Sequence, residues 1–153
     1  MKIVPLAERP DLTPLVAAWG FGEWGHHNPA ETLAEREAWT RRETLNTERA
    51  PLTFVALDGQ GRAIGTAALL FDDLVGDPRN PWLASVYVPP EQRGRGIASA
   101  LVRTVEDAAR RFGYRQLYLF TSTAPKLYAG LGWRPLETTV YRGDEIQVMD
   151  RAL

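Results

Sequence analysis

The sequence predicts an α+β domain: a mixed, mostly antiparallel sheet flanked by helices. Three observations predict it. Runs with strand character follow one another without an intervening helix over residues 52–57, 62–71 and 82–88, as antiparallel neighbours do. One strand–helix–strand passage, over residues 82–120, requires a single parallel pair inside that sheet. The length of 153 residues, with 44% hydrophobic and 24% charged, suits a single domain spanning 1–153 that buries an ordinary core.

The elements follow in order. Residues 3–6 form a short opening strand. Thr13 followed by Pro14 reads as a helix start, a hydroxyl cap and then a residue with no N–H to leave unpaired. Leu15 and Trp19 would share one face of that helix, and Gly20, Gly22 and Gly25 would break it up. Asn28-Pro29-Ala30-Glu31 reads as a second helix start, with the helix running to about Leu45 on a thin apolar stripe of Leu33, Ala34, Ala38 and Leu45. The period then changes. Residues 52–57 and 62–71 form a hairpin about Asp58-Gly59-Gln60-Gly61. Residues 72–81 are a loop, and the strand 82–88 is stopped by Pro89-Pro90. Ile97, Leu101, Val105, Ala108 and Phe112 mark the strongest helix, which Gly113 ends. A strand at 115–120, a short helix at 124–131 closed by Gly132, and a hairpin of 138–141 with 146–149 about Gly143-Asp144 complete the chain.

Composition excludes several classes. With no cysteine, disulfide scaffolds, thiolate metal sites and acyl-cysteine chemistry are out. No apolar run approaches 18 residues, so no membrane span is expected, and no signal peptide is read at the N-terminus; a cytoplasmic location follows as the default. A net charge of −1 disfavours nucleic acid as a partner. The charge is uneven, however. Residues 1–76 hold 7 basic and 11 acidic side chains, and residues 77–153 hold 11 and 8. An anionic ligand suits the second half and a cationic one the first.

Arg93-Gly94-Arg95-Gly96-Ile97-Ala98 lies between a strand and the start of the best helix. Glycines there let the backbone approach an anion, and the helix start adds unpaired N–H donors. The segment reads as a phosphate cradle, with a plain turn before a helix as the alternative. It is not a P-loop, and Ser99 stands where a dinucleotide fingerprint needs its third glycine.

The pattern Arg93-x-x-Gly96-x-Ala98 resembles the signature of the GNAT superfamily of N-acetyltransferases. The strand Ala84-Ser85-Val86-Tyr87-Val88-Pro89 resembles that family's fourth strand, and Tyr128-Ala129-Gly130-Leu131-Gly132-Trp133 its Tyr-x-x-x-Gly-Phe element, with Trp for Phe. The resemblance covers about residues 82–133; the first 50 residues match only in outline. It implies the GNAT fold, with a parallel strand pair that splays apart, and acetyl-CoA or another acyl-CoA as co-substrate. Gly94, Arg95, Gly96, Ile97 and Ala98 would hold the pyrophosphate through their amides, with the Arg93 and Arg95 side chains alongside. Val86 and Val88 would pair with the pantetheine arm. Tyr128 takes the position of the family's general acid, where a phenol with pKa near 10 can protonate a leaving thiolate.

The base that deprotonates an amine acceptor is not identified by position. Glu23, His26, Asp72, Asp73 and a water chain are the candidates. His26-His27 reads as a polar loop; no third ligand is evident beside it, and no metal is expected. Trp19, Trp24 and Trp39 read as core, with Trp24 as a candidate wall of an acceptor pocket. The expectation is therefore an N-acetyltransferase that moves an acetyl group to an amine of a small molecule or protein by direct attack in a ternary complex. A non-catalytic acyl-CoA sensor or interaction module is the alternative. The sequence leaves the oligomeric state open and admits a homodimer.

Overall fold

A computed structural model describes residues 1–153. Its elements are β1 (Lys2–Pro5), α1 (Thr13–Trp24), α2 (Leu33–Thr44), β2 (Leu52–Leu57), β3 (Ala63–Leu70), β4 (Trp82–Tyr87), α3 (Ile97–Arg111), β5 (Gln116–Thr121), α4 (Pro125–Gly130), β6 (Arg134–Tyr141) and β7 (Asp144–Ala152), with short 3₁₀ turns between them. The seven strands form one sheet in the order β1-β2-β3-β4-β5-β7-β6. Every pairing is antiparallel except β4 with β5. No helix is long and apolar enough to cross a membrane.

The alternation of side chains along each strand sorts the core onto two faces. Leu52, Phe54, Leu83, Leu117 and Leu119 pack against Leu101, Val105 and Ala108 of α3, together with Tyr128 and Trp133. Their neighbours in sequence point the other way. Val55 and Leu57 pack with Val4, Leu6 and Val16 of α1, and Trp82 packs with Ile146, Val148, Tyr118 and Phe120. Thus α3 and α4 cover one face, and α1 and α2 the other.

α3 carries the one charged side chain of the chain that is fully enclosed on a helix. Glu106 is 0% exposed and accepts hydrogen bonds from Arg151 Nε at 3.0 Å, Arg103 Nη1 at 3.2 Å and Trp133 Nε1 at 3.3 Å. These bonds fasten α3 to β7 and to the turn after α4, and they offset the cost of burying the carboxylate.

The first 50 residues depart from the sequence reading at both helices. α1 runs unbroken through Gly20 and Gly22 and ends only at Gly25. Each glycine costs about 1 kcal/mol of helix propensity, and the packing of Val16 and Ala17 outweighs it. The buried face also differs, because Leu15 is exposed, and the Thr13 hydroxyl donates to Pro10 O instead of capping. The cap of the second helix is Thr32, four residues after Asn28. Thr32 and Glu35 form the capping box, with Glu35 N donating to Thr32 Oγ1 at 3.1 Å and Thr32 N donating to Glu35 Oε1 at 3.3 Å. Asn28 instead closes a 3₁₀ turn at Gly25–His27. The face of α2 that is buried is Thr40 and Thr44, whose hydroxyls bond back to Arg36 O and Thr40 O; Leu33 is exposed. The final hairpin is longer than its apolar pattern suggests, because β6 is an exposed edge strand with no apolar face to read.

Candidate active site

The site begins as a defect in the sheet. β4 and β5 share one register pair, Trp82 with Tyr118, and Tyr118 N donates to Pro81 O at 3.1 Å. Past that point the strands part. On its other side β4 carries a bulge, since Thr66 faces Tyr87 while Ala68 faces Ala84, which leaves Ala67 of β3 against both Ser85 and Val86 of β4. Ser85 in the bulge has φ +55°, which a non-glycine residue adopts only under constraint. The bulge bends β4 away from β5 and leaves a cleft of about 900 Å³ that is lined from both faces of the sheet.

At one end of the cleft is the segment before α3. Gly94 and Gly96 have φ +77° and +78°, and a Cβ on either would meet no atom within 4 Å. Glycine is therefore required by backbone conformation, and open space faces it. The first helical bond is Ala100 N to Gly96 O, so the amides of Ile97, Ala98 and Ser99 donate to no protein group. Arg93 folds back on the strand, with Nε donating to Val88 O at 2.9 Å and its guanidinium 5.9 Å from the Tyr87 ring centre. Of the residues the resemblance nominates, Val86, Val88, Arg93, Gly94, Gly96, Ile97 and Ala98 line the cleft. Arg95 does not. Between two left-handed glycines its side chain turns outward, to Gln92 Oε1 at 3.2 Å.

Tyr128 reaches the cleft from α4. Its ring is buried and lies edge-on to Trp133, with centroids 6.3 Å apart. Its hydroxyl bonds to no protein group, and no buried side-chain polar atom lacks a partner, so that oxygen lies at the cleft surface. Burial pushes the phenol up to about 12.

The opposite wall comes from the acidic half of the chain. Asp73 lies half-buried in it, and burial pushes its carboxyl up to about 7, although the charge of Arg36 on α2 pulls the other way. Of the other base candidates, Asp72 is held in its turn, where its N–H and carboxylate both bond to Asn80. Glu23 and His26 also line the cleft. Trp24 and Trp39 are in the wall, whereas Trp19 packs on Tyr87 at 5.5 Å between centroids, outside the lining. His26 and His27 meet a group the sequence reading did not nominate. Both Nε2 atoms lie 2.7 Å from Asp144 Oδ2, across 118 and 117 residues. Hydrogen bonds from His26 and His27 hold the Asp144 carboxyl below its usual range. No local spacing announces that meeting, nor the approach of Arg36 to Asp73. Asp144 was legible only as a turn residue.

Comparison with known proteins agrees with this geometry. The model of the Acetyltransferase (GNAT) family matches residues 12–133. Human N-acetyltransferase 8B is 33% identical over 123 residues, covering 69% of this chain and 54% of its own length. The chain thus spans about half the length of the curated relatives it matches. An aminoglycoside 6'-N-acetyltransferase complexed with coenzyme A superposes with a TM-score of 0.71 at 16% identity, over 99% of this chain and 97% of that one. Spermidine N-acetyltransferase from Vibrio cholerae, in complex with CoA and spermine, superposes with a TM-score of 0.69 at 18% identity, over 99% and 94%. At these identities the likeness is one of fold.

Proposed function

Because the chain belongs to the Acetyltransferase (GNAT) family, we infer that it transfers an acetyl group from acetyl-CoA to a cationic amine by direct attack within one cleft. The observation that carries this reading is the gap between β4 and β5, which joins the free amides before α3 to Tyr128 and Asp73 in a single cavity. Pyrophosphate would take the amides of Ile97 and Ala98 and the charge of Arg93. The β4 backbone at Val86 and Val88 would pair with the pantetheine arm as an added strand does.

The acceptor would enter from the face of α1 and α2. That wall holds Glu23, Asp72 and Asp73 with Trp24 and Trp39, acidic and aromatic groups that suit an ammonium ion. The names of two structural neighbours, a spermidine and an aminoglycoside acetyltransferase, fit the same class of amine. The ionised Asp73 carboxylate takes one proton from the ammonium. The freed nitrogen attacks the thioester carbonyl carbon, the C–N bond forms and the C–S bond breaks. The second nitrogen proton leaves to solvent as the amide forms. A phenol held near 12 is a weaker acid than a thiol near 8.5. Tyr128 therefore acts chiefly by hydrogen bonding to the thiolate as charge develops on sulfur, and the thiol takes its final proton from solvent.

Release of free CoA thiol from acetyl-CoA, followed with a panel of polyamines, aminoglycosides and neutral amines, tests the reading. Turnover with the cationic amines and little with neutral ones is expected. Tight CoA binding with no thiol release for any amine would overturn it in favour of a binding module.

A further inference from the structure

Two neighbouring histidines on a 3₁₀ turn and one aspartate on a distant strand aim their ligating atoms at one point. The ring nitrogens of His26 and His27 and a carboxylate oxygen of Asp144 all lie within 4.8 Å of one another. The imidazole rings are 4.3 Å apart, and both Nε2 atoms converge on the same oxygen, Oδ2, while Oδ1 accepts no hydrogen bond. We propose that His26, His27 and Asp144 form a binding site for one divalent transition-metal ion, Zn²⁺ by the chemistry of the ligands, with an open coordination position toward the cleft.

The surroundings are built to hold this arrangement. Asp144 opens β7 directly after a tight turn in which Arg142 has φ +47° and Gly143 φ +93°. A left-handed arginine is strained, and strain of this kind is kept where the structure fixes it. Here Arg142 Nη1 donates to His27 O at 2.6 Å, which latches the histidine turn onto the hairpin that bears Asp144. His27 is further walled by Phe120 and Tyr141, with ring centroids 6.4 and 5.4 Å away, and its side chain is 11% exposed. His26 is 53% exposed and Asp144 31%, so an ion can enter from solvent.

Two imidazoles and one carboxylate match Zn²⁺, which takes such ligands in tetrahedral sites with one position left for water or another molecule. Mg²⁺ and Ca²⁺ prefer oxygen donors and fit poorly. Tetrahedral ligands about 2.0–2.1 Å from zinc stand roughly 3.3 Å apart. The N···O separations of 2.7 Å must therefore open by a little over half an ångström, a movement the exposed His26 ring can supply. All three residues line the cleft, so the open position would take a nitrogen or carboxylate oxygen of a molecule bound there.

The test uses the whole chain without an affinity tag, dialysed against chelator and titrated calorimetrically with ZnCl₂. One ion per chain at micromolar affinity or better is expected, with no saturable Mg²⁺ binding. His26→Ala and Asp144→Asn should each weaken Zn²⁺ at least tenfold. Zn²⁺ should also raise the melting temperature of the native chain more than that of either variant, and the melts show that both variants are folded. The exposed His26 ring is no part of the core, so at least one variant keeps its fold. Absence of saturable Zn²⁺ binding by the native chain, or binding unchanged in a folded variant, would overturn the proposal. The readout is metal binding and not turnover, so its outcome is independent of the acyl-transfer reading.

Discussion

Trp82 and Tyr118 form the one register pair that joins β4 to β5, and the cleft opens immediately beyond it. Their rings also meet, with centroids 5.7 Å apart, in a cluster with Leu74, Ile146, Val148 and Phe120. Trp82 is 0% exposed, so the point at which the strands begin to part is fixed by a fully buried side chain. Trp82 is the first residue of β4, so the pairing with β5 ends where the strand begins. Beyond it, the β4 backbone is free to meet a ligand.

Gly96 tests the anion end of the cleft. Its φ of +78° is strained for any residue with a side chain, and open space lies where its Cβ would be. Gly96→Val should weaken CoA binding at least tenfold, about 1.4 kcal/mol, in calorimetric titration. Unchanged affinity in a folded variant would remove this segment from the phosphate site.

Tyr128→Phe keeps the buried ring and removes only the hydroxyl at the cleft surface. The turnover rate should fall about 10²–10³-fold, the range for a lost transition-state donor. The KM for acetyl-CoA should change little. Because burial pushes the phenol up to about 12, the native chain should lose no activity to Tyr128 ionisation below about pH 11. Single-turnover kinetics and a melting curve separate this from a structural role, which would lower the melting temperature and spare the rate.

Asp73 sets the acid limb. A base works only when ionised, and its carboxyl is pushed up to about 7. The rate should therefore fall about tenfold per pH unit below that value. Asp73→Asn should lower the rate and abolish the limb. Arg36 opposes the shift, so Arg36→Gln should move the limb to higher pH.

The same group also tunes stability. Its folded pKa lies above the unfolded value near 3.9, so the unfolded chain gives up the proton first as pH rises. Stability from Asp73 is thus present below about pH 4 and lost by about pH 7. Above that pH, Asp73→Asn should melt at a higher temperature than the native chain.

Glu106→Ala leaves Arg151 and Trp133 without their shared acceptor inside the protein. Breaking a buried pair in this way costs about 3–5 kcal/mol. Urea denaturation should show that loss, and CoA affinity in the folded fraction should be nearly unchanged, since Glu106 does not line the cleft.

Legibility followed the range of the forces involved. Residues 97–111 carry their own apolar spacing and a terminating glycine, and α3 falls there. The hairpin of β2 and β3 follows from two short apolar runs joined by a turn that ends at Gly61, whose φ is +76°. α1 and α2 were less readable because their buried faces are short. Val16 and Ala17, or Thr40 and Thr44, hold a helix only once a sheet lies beneath them.

By itself, the sequence determined the order of elements, the mixed sheet, the glycine-bearing segment before α3 and the position of Tyr128. Each of these is written in neighbouring residues, where periodicity, turn conformation and helix ends act over a few positions. Tertiary structure alone decided which groups share the cleft. It turned Arg95 outward, set the half-buried Asp73 near Arg36, and brought Asp144 to His26 across 118 residues. Those outcomes depend on where strands part and what a fold surrounds, and electrostatics acts through distance in space, which chain spacing does not encode.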